Sequence, residues 1–155
     1  MGGGGVMVWA GIGHHGKADL VFIDNRLNSQ GYVRLLRDQL EKHTERIFDP
    51  IFIFQQDNAA VHTAKIVREH FEDDIIGVLA WPARSPDLNI IENVWSTLSR
   101  AVFRGETQFQ TVSELKEALT AAWEAIPLNS LQVLYKSLPK RIISVLENRG
   151  GSTKY

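Results

Sequence analysis

The stretch IFIFQQDNAAVHTA at residues 51–64 decides the fold class. Ile51 to Phe54 is an unbroken apolar run after Pro50, too short for an ordinary helix and made of residues that favour strands. A continuous run without polar alternation predicts a strand buried on both faces. Gln55, Gln56 and Asp57 follow, so Asp57 ends that strand at its carboxyl side, where open α/β sheets carry their ligand sites.

Outward from this strand the hydrophobic period changes twice. Upstream, Val33, Leu36, Leu40 and Ile47 recur at helical spacing from Tyr32, with Asn28 or Ser29 as the cap. Before them, Val6 to Ile12 and Ala18 to Ile23 are β-forming runs separated by GHHGK, the pattern of an antiparallel hairpin whose His14 and His15 form a solvated turn. Downstream, Thr63 to Phe71 predicts a short helix and Gly77 to Leu79 a short buried strand. Ser85-Pro86-Asp87 predicts a helix running from Asp87 to Val102 with the stripe Ile91, Trp95, Leu98 and Val102. Thr111 with Glu114 reads as a capping box opening a helix that buries Val112, Leu115, Leu119, Trp123 and Ile126. Leu131, Leu134, Leu138, Ile142, Val145 and Leu146 carry a last helix to Gly150-Gly151. The order ββαβαβααα predicts an α/β fold with a mixed sheet covered by helices.

Composition narrows the function classes. The 155 residues are one domain's length; Gly2 to Gly5 make residues 1–5 a flexible start, and no linker divides residues 6–155. With no cysteine there is no disulfide framework, thiolate metal site or thiol nucleophile. No signal peptide and no apolar span are read, which predicts an intracellular chain with no membrane partner. A net charge of −1 argues against a free-standing nucleic-acid binder. That total conceals a segregation: six basic and six acidic residues in 1–56, three and seven in 57–95, eight and five in 96–155, giving 0, −4 and +3. The mid-chain acid reads either as the solvated face of a helix carrying Glu69, Glu72, Asp73 and Asp74 or as a site that wants cations, and composition alone does not choose between them.

Asp57 at a strand end and Glu92 in the first turn of a helix, beside its apolar stripe, come from separate elements and suit shared Mg²⁺ ions, which prefer carboxylate, phosphate and water oxygens. Two such ions activate an attacking oxygen and stabilise a leaving one in phosphoryl transfer. Both acids also have structural readings. Glu92 completes a capping box with Asn89, and Asp57 before Asn58 fits a turn. His62, beside a helix start, is either structural or a contact to phosphate or metal-bound water. Neither GxSxG, GxGxxG nor a Walker motif occurs.

Taken together, FQQDNAAVHTA at 54–64, WPARSPDLNIIENVW at 81–95 and the closing GGSTKY resemble the Tc1/mariner transposases, in particular the Tc1-like catalytic domain with its RNase H-like, retroviral-integrase fold. The GGGxxMVWAGI opening and LNSQGYVRLL extend the resemblance from Gly3 to Tyr155. Thirty-four residues separate Asp57 from Glu92, the family's spacing between its second and third catalytic acids. The resemblance therefore implies a DNA transposase that uses Mg²⁺ or Mn²⁺, held by Asp57 and Glu92 with Asn58 and His62 as auxiliaries, to cleave at transposon ends and join them to target DNA. It further implies a nuclear location and a homo-oligomer with full-length transposase.

The resemblance also marks departures. Asp19, Asp24, Asp38 and Asp49 all follow the matched VMVWAG strand, so none stands at the family's first acid, and the first central strand with the basic DNA-reading domains is expected to be missing. Ala60 and Ile90 stand where relatives commonly carry proline. Two Mg²⁺ bring four positive charges against two carboxylates. Loss of a bridging ligand should cost at least several kcal/mol, at about 1.4 kcal/mol per tenfold, so metal should bind weakly and the isolated chain should not transpose. Competing expectations are a non-catalytic module that binds DNA or protein through Arg100, Arg104, Lys136, Lys140 and Arg141, and an RNase H-like nuclease without strand transfer.

Overall fold

The computed structural model describes residues 5–24, 26–47, 51–83, 85–104 and 108–148. Most of the glycine-rich start and the closing GGSTKY thus lie outside the described residues. Packing divides the chain into two compact units, one of Met1–Asp24 with Pro86–Tyr155 and one of Asn25–Ser85. No helix among the described residues is long and apolar enough to cross a membrane.

The first unit contains the expected hairpin. β1 (Met7–Trp9) pairs antiparallel with β4 (Val21–Ile23), Val8 opposite Phe22, and β2 (Ile12–Gly13) pairs with β3 (Gly16–Lys17) around the exposed His14-His15 turn. The Ala18 amide donates to the Gly11 carbonyl at 2.8 Å where one ladder passes into the other. Three helices complete the unit: α3 (Ile91–Val102), α4 (Val112–Glu124) and α5 (Leu128–Glu147). Their core gathers Val94, Leu98, Val102, Leu119, Trp123, Ile126 and Leu131 with Ala10 of the hairpin. Each large side chain buried there is worth roughly 1.5–3 kcal/mol. Trp123 is central: it stacks on Trp95 at 5.8 Å, and its indole N–H donates to the Ala18 carbonyl at 3.0 Å.

Two local devices fix the ends of α4. The expected capping box is present, with the Thr111 hydroxyl accepting from the Glu114 amide at 3.2 Å while the Glu114 carboxylate accepts from the Thr111 amide at 3.3 Å. At the other end Lys17 Nζ donates to the carbonyl of Glu124, which the helix terminus leaves unpaired, and to that of Ile126 just beyond it, at 3.1 and 2.7 Å. Burial pushes the Lys17 ammonium below the usual lysine range, partly opposed by the Glu124 charge.

The second unit is a βαβ arrangement with one more helix before it. α1 (Ser29–Ile47) starts where the Asn28 side chain accepts from the Gly31 amide at 2.8 Å, then β5 (Ile53–Phe54), α2 (Lys65–Asp73) and β6 (Gly77–Val78) follow, with β5 and β6 parallel. Ladders of both kinds are thus present, but the described strands form three separate two-stranded sheets, two antiparallel and one parallel, where the sequence predicts one mixed sheet.

Several sequence expectations are corrected. The IFIF strand is not buried on both faces: Ile51 is 91% and Ile53 67% exposed, whereas Phe54 packs on Phe71 of α2 at 5.0 Å. Strand side chains alternate, so the face holding Ile51 and Ile53 is the one α2 does not cover. β6 is likewise exposed rather than buried. α2 begins at Lys65, not Thr63, because the Thr63 amide and hydroxyl both donate back to the Ala59 carbonyl and close the preceding turn on itself. α3 begins at Ile91, not Asp87; Pro86–Leu88 is a single 3-10 turn in which the Asn89 amide donates to the Pro86 carbonyl at 3.0 Å, and the Asp87 carbonyl accepts from Arg141. Val112 is exposed at the first position of α4. Along the later half of α5 the inward side chain is Arg141, so Ile142 and Leu146 face outward.

Candidate active site

Asp57 lies just past the carboxyl end of β5, as the order of residues predicts. Its Oδ1 accepts two hydrogen bonds, from the Ala59 amide at 3.0 Å and from His62 Nδ1 at 2.6 Å. An ionised carboxylate can only accept, so Nδ1 of His62 carries the hydrogen. Oδ2 takes no hydrogen bond among the described residues, and the side chain is exposed. The turn reading of Asp57 is therefore correct as far as Oδ1 goes, and the other oxygen remains open to a ligand.

The neighbours of Asp57 form a connected group. The His62 amide donates to the Ala59 carbonyl at 2.9 Å, bending the chain so that the imidazole returns to the acid. Asn58 turns away from Asp57 and donates from Nδ2 to the Trp81 carbonyl at 2.8 Å, tying the loop after β5 to the segment after β6. Gln56 Nε2 donates to the His62 carbonyl at 3.2 Å, and the Tyr32 hydroxyl of α1 donates to Gln56 Oε1 at 2.8 Å. The Tyr32 ring also lies against the His62 imidazole, centroids 4.5 Å apart. Gln56 and Tyr32 were not distinguished by sequence: Tyr32 reads as the first buried residue of an amphipathic helix, and no local pattern joins it to residue 56.

Glu92 is the second residue of α3, in the other unit. The capping-box reading fails: Ile90 is the cap residue and no side chain caps the helix. The carboxylate is exposed and has no hydrogen bond or ion pair among the described residues. Each acid by itself presents hard oxygen of the kind Mg²⁺ or Mn²⁺ prefers, and among the described residues no group of three or more His, Cys, Asp or Glu side chains comes together to hold a metal ion.

The basic side chains divide. Arg100, Arg104, Lys136 and Lys140 are exposed. Arg141 corrects the expectation of a surface contact: it is 2% exposed, and its guanidinium donates to the Asp87 carbonyl at 2.7 Å, the Asn93 side-chain oxygen at 2.9 Å and the Ser137 hydroxyl at 2.9 Å. It clamps the 3-10 turn and first turn of α3 to α5. Between α3, α4 and α5 of the same unit there is a mainly apolar cleft of about 410 Å³, floored by Leu98, Ala122, Ile126 and Leu134. Neither acid lines it, and nothing in its lining suits phosphoryl chemistry.

Comparison with known proteins places the chain in a family. Residues 2–116 match the family described as DDE superfamily endonuclease. The chain is 38% identical over 154 residues to the transposable element Tc3 transposase of Caenorhabditis elegans, covering 99% of this chain and 47% of that protein. It is 33% identical over 154 residues to the Tcb2 transposase of Caenorhabditis briggsae, covering 99% and 56%. The chain thus spans about half the length of these relatives. Among solved structures, the Mos1 transposase catalytic domain with raltegravir and Mn superposes with a TM-score of 0.81 at 22% identity, covering 96% of this chain and 78% of that one. The Mos1 mariner paired end complex with Mn gives 0.85 at 22% identity, covering 96% and 45%. At that identity the likeness establishes the fold, which is RNase H-like. The family match, the relatives and the shared fold together make this chain a member of the DDE superfamily endonucleases, of the Tc1/mariner transposase type.

Proposed function

We propose that residues 6–155 are one catalytic domain contributing Asp57 and Glu92, as second and third acids, to the metal centre of a DNA transposase. The observation that carries this reading is the Asp57 carboxylate, with one oxygen held by two donors and the other open at the end of β5. Asp57 and Glu92 would hold Mg²⁺ or Mn²⁺, and a bound divalent ion supplies charge stabilisation to a phosphoryl transfer at the transposon end and then at the target DNA. His62 fixes the rotation of the Asp57 carboxylate. Asn58 restrains the loop that follows it. Exposed Arg100, Arg104, Lys136 and Lys140 meet DNA phosphates, while buried Arg141 does not.

Two carboxylates leave such a centre short of negative charge. Asp24, the nearest upstream candidate at a strand end, is committed to Lys116 at 2.9 Å. The isolated chain therefore binds metal weakly and does not transpose, and activity arises in the nucleus in an assembly with full-length transposase on DNA. The other reading is a non-catalytic module that uses the same four basic side chains without Asp57.

Joining the chain to the upstream segment of a Tc1-like relative, and assaying Mg²⁺- or Mn²⁺-dependent cleavage of that relative's transposon ends, separates the two. Cleavage abolished by Asp57→Asn and by Glu92→Gln is the expected result. Cleavage indifferent to Asp57 overturns the reading, as does salt-dependent DNA binding accompanied by no metal-dependent cleavage.

A further inference from the structure

We infer that Tyr32, distant in sequence and buried under the site, is a positioning residue for Asp57 that acts through Gln56 and His62; this rests on Asp57 as a metal ligand. Tyr32 is 1% exposed, one turn inside α1, where the Asn28 cap fixes the start of the helix and the Tyr32 amide donates to the Asn28 carbonyl at 2.8 Å. Its ring is thereby set by the helix and not by the loop it touches. From there the hydroxyl donates to Gln56 Oε1 at 2.8 Å and holds the amide in place, while the His62 carbonyl, which can only accept, selects the Nε2 end. The two ends of a glutamine amide have nearly the same shape, so packing alone does not choose between them. With the oxygen taken by Tyr32, Nε2 faces the His62 carbonyl and donates to it at 3.2 Å. A reversed amide would set oxygen against oxygen there.

His62 is consequently held twice by Tyr32: at its backbone through Gln56, and at its ring by direct contact at 4.5 Å and a 33° tilt. Both restraints aim Nδ1–H at Asp57 Oδ1, 2.6 Å away. The consequence lies at the opposite oxygen. A carboxylate fixed on one side cannot turn, and Oδ2 keeps one direction toward an incoming cation without first losing rotational freedom. A tyrosine serving only to fill the interior between α1 and the 55–62 loop would do equally well without its hydroxyl, which is the point the test addresses.

Tyr32→Phe keeps the ring and its burial and removes only the hydroxyl. The full chain, its Tyr32→Phe variant, His62→Ala and the double variant are titrated with Mn²⁺ alone, free Mn²⁺ being followed by electron paramagnetic resonance. The metal-free His62 imidazole is observed by long-range ¹⁵N–¹H correlation at a fixed pH. The expected result is that Tyr32→Phe weakens Mn²⁺ binding ~3–10-fold, less than the 10–100-fold typical of groups touching a metal ligand directly. His62 changes from a single Nδ1–H form to a mixture, and thermal unfolding stays near that of the parent. On a His62→Ala background the same substitution has less than a twofold effect. An unchanged His62 spectrum together with Mn²⁺ affinity within twofold of the parent overturns the relay, and so does an equal effect with and without His62. Should Asp57→Ala bind Mn²⁺ as the parent does, the metal assignment of Asp57 falls, while the His62 spectra of the parent and Tyr32→Phe still decide whether Tyr32 orders the Asp57–His62 pair.

Discussion

Replacing Arg141 by methionine separates a structural arginine from a DNA-contacting one. The side chain is 2% exposed and spends its three kinds of N–H on Asp87, Asn93 and Ser137. Methionine fills much of the volume and leaves the Asp87 carbonyl and the Asn93 side-chain oxygen without that donor, at ~1–3 kcal/mol for each buried group left unsatisfied. Ser137 loses less, because its hydroxyl already donates to the Leu134 carbonyl at 2.6 Å. Relief from burying the guanidinium charge offsets part of this, and the net expectation is destabilisation by about 2–4 kcal/mol, near the range for breaking one side of a buried charged interaction. Urea unfolding followed by tryptophan fluorescence measures it, since Trp95 and Trp123 lie in the same unit. The companion variant Lys140→Met, at an exposed position, should leave stability within about 0.5 kcal/mol and lower the salt slope of duplex-DNA binding by about one. The reasoning fails if Arg141→Met is as stable as the parent and it, instead of Lys140→Met, lowers the salt slope.

Two further outcomes follow from local geometry. α2 ends with Ile75 at φ 56°, the Ile76 amide donating to Phe71 and the Ile75 amide to Glu72, so a β-branched residue occupies the left-handed position that glycine prefers. Ile75 is 92% exposed, so Ile75→Gly sacrifices little burial; relief of ~1–2 kcal/mol of backbone strain, less ~0.4–1 kcal/mol of added unfolded-state entropy, should stabilise the chain by up to about 1.6 kcal/mol in the same urea assay. Tyr135 donates to the Ile12 carbonyl at 2.9 Å, and burial pushes its phenol up to about 12. The unfolded chain releases that proton near pH 10 and the folded chain does not, so stability present below pH 10 should fall by up to about 1.4 kcal/mol per pH unit between 10 and 12. Tyr135→Phe should lack that decline. Lys17, pushed down by burial, acts with opposite sign at alkaline pH, which makes the comparison of parent with Tyr135→Phe the measurement that isolates the phenol.

Much of the site was legible because its signals are local. A short apolar run followed by polar residues locates Asp57 at a strand end, the capping pattern locates α4, and helical spacing locates α3 with Glu92 in its first turn. Where reading along the chain failed, a distant group had changed the local outcome. The segment before α3 closes as a 3-10 turn tied by its Asp87 carbonyl to Arg141, far along the chain, and α3 starts only at Ile91. The IFIF run looks fully buried by composition, yet α2 covers the Phe54 side alone. Arg141 and Lys140 are adjacent and chemically alike in sequence, and their fates differ because successive helical positions face directions about 100° apart.

By itself, then, the order of residues determined the main element types and the family, and offered Asp57 and Glu92 as candidate acids with the chemistry they suit, since each depends on residue identity and short spacings. Only the tertiary structure decided which arginine is buried, that Glu92 is no cap, and that Tyr32 reaches Asp57 through Gln56 and His62. Hydrogen bonds between residues far apart along the chain have no sequence period. They exist only after helices and loops have packed and buried polar groups have been forced to find partners.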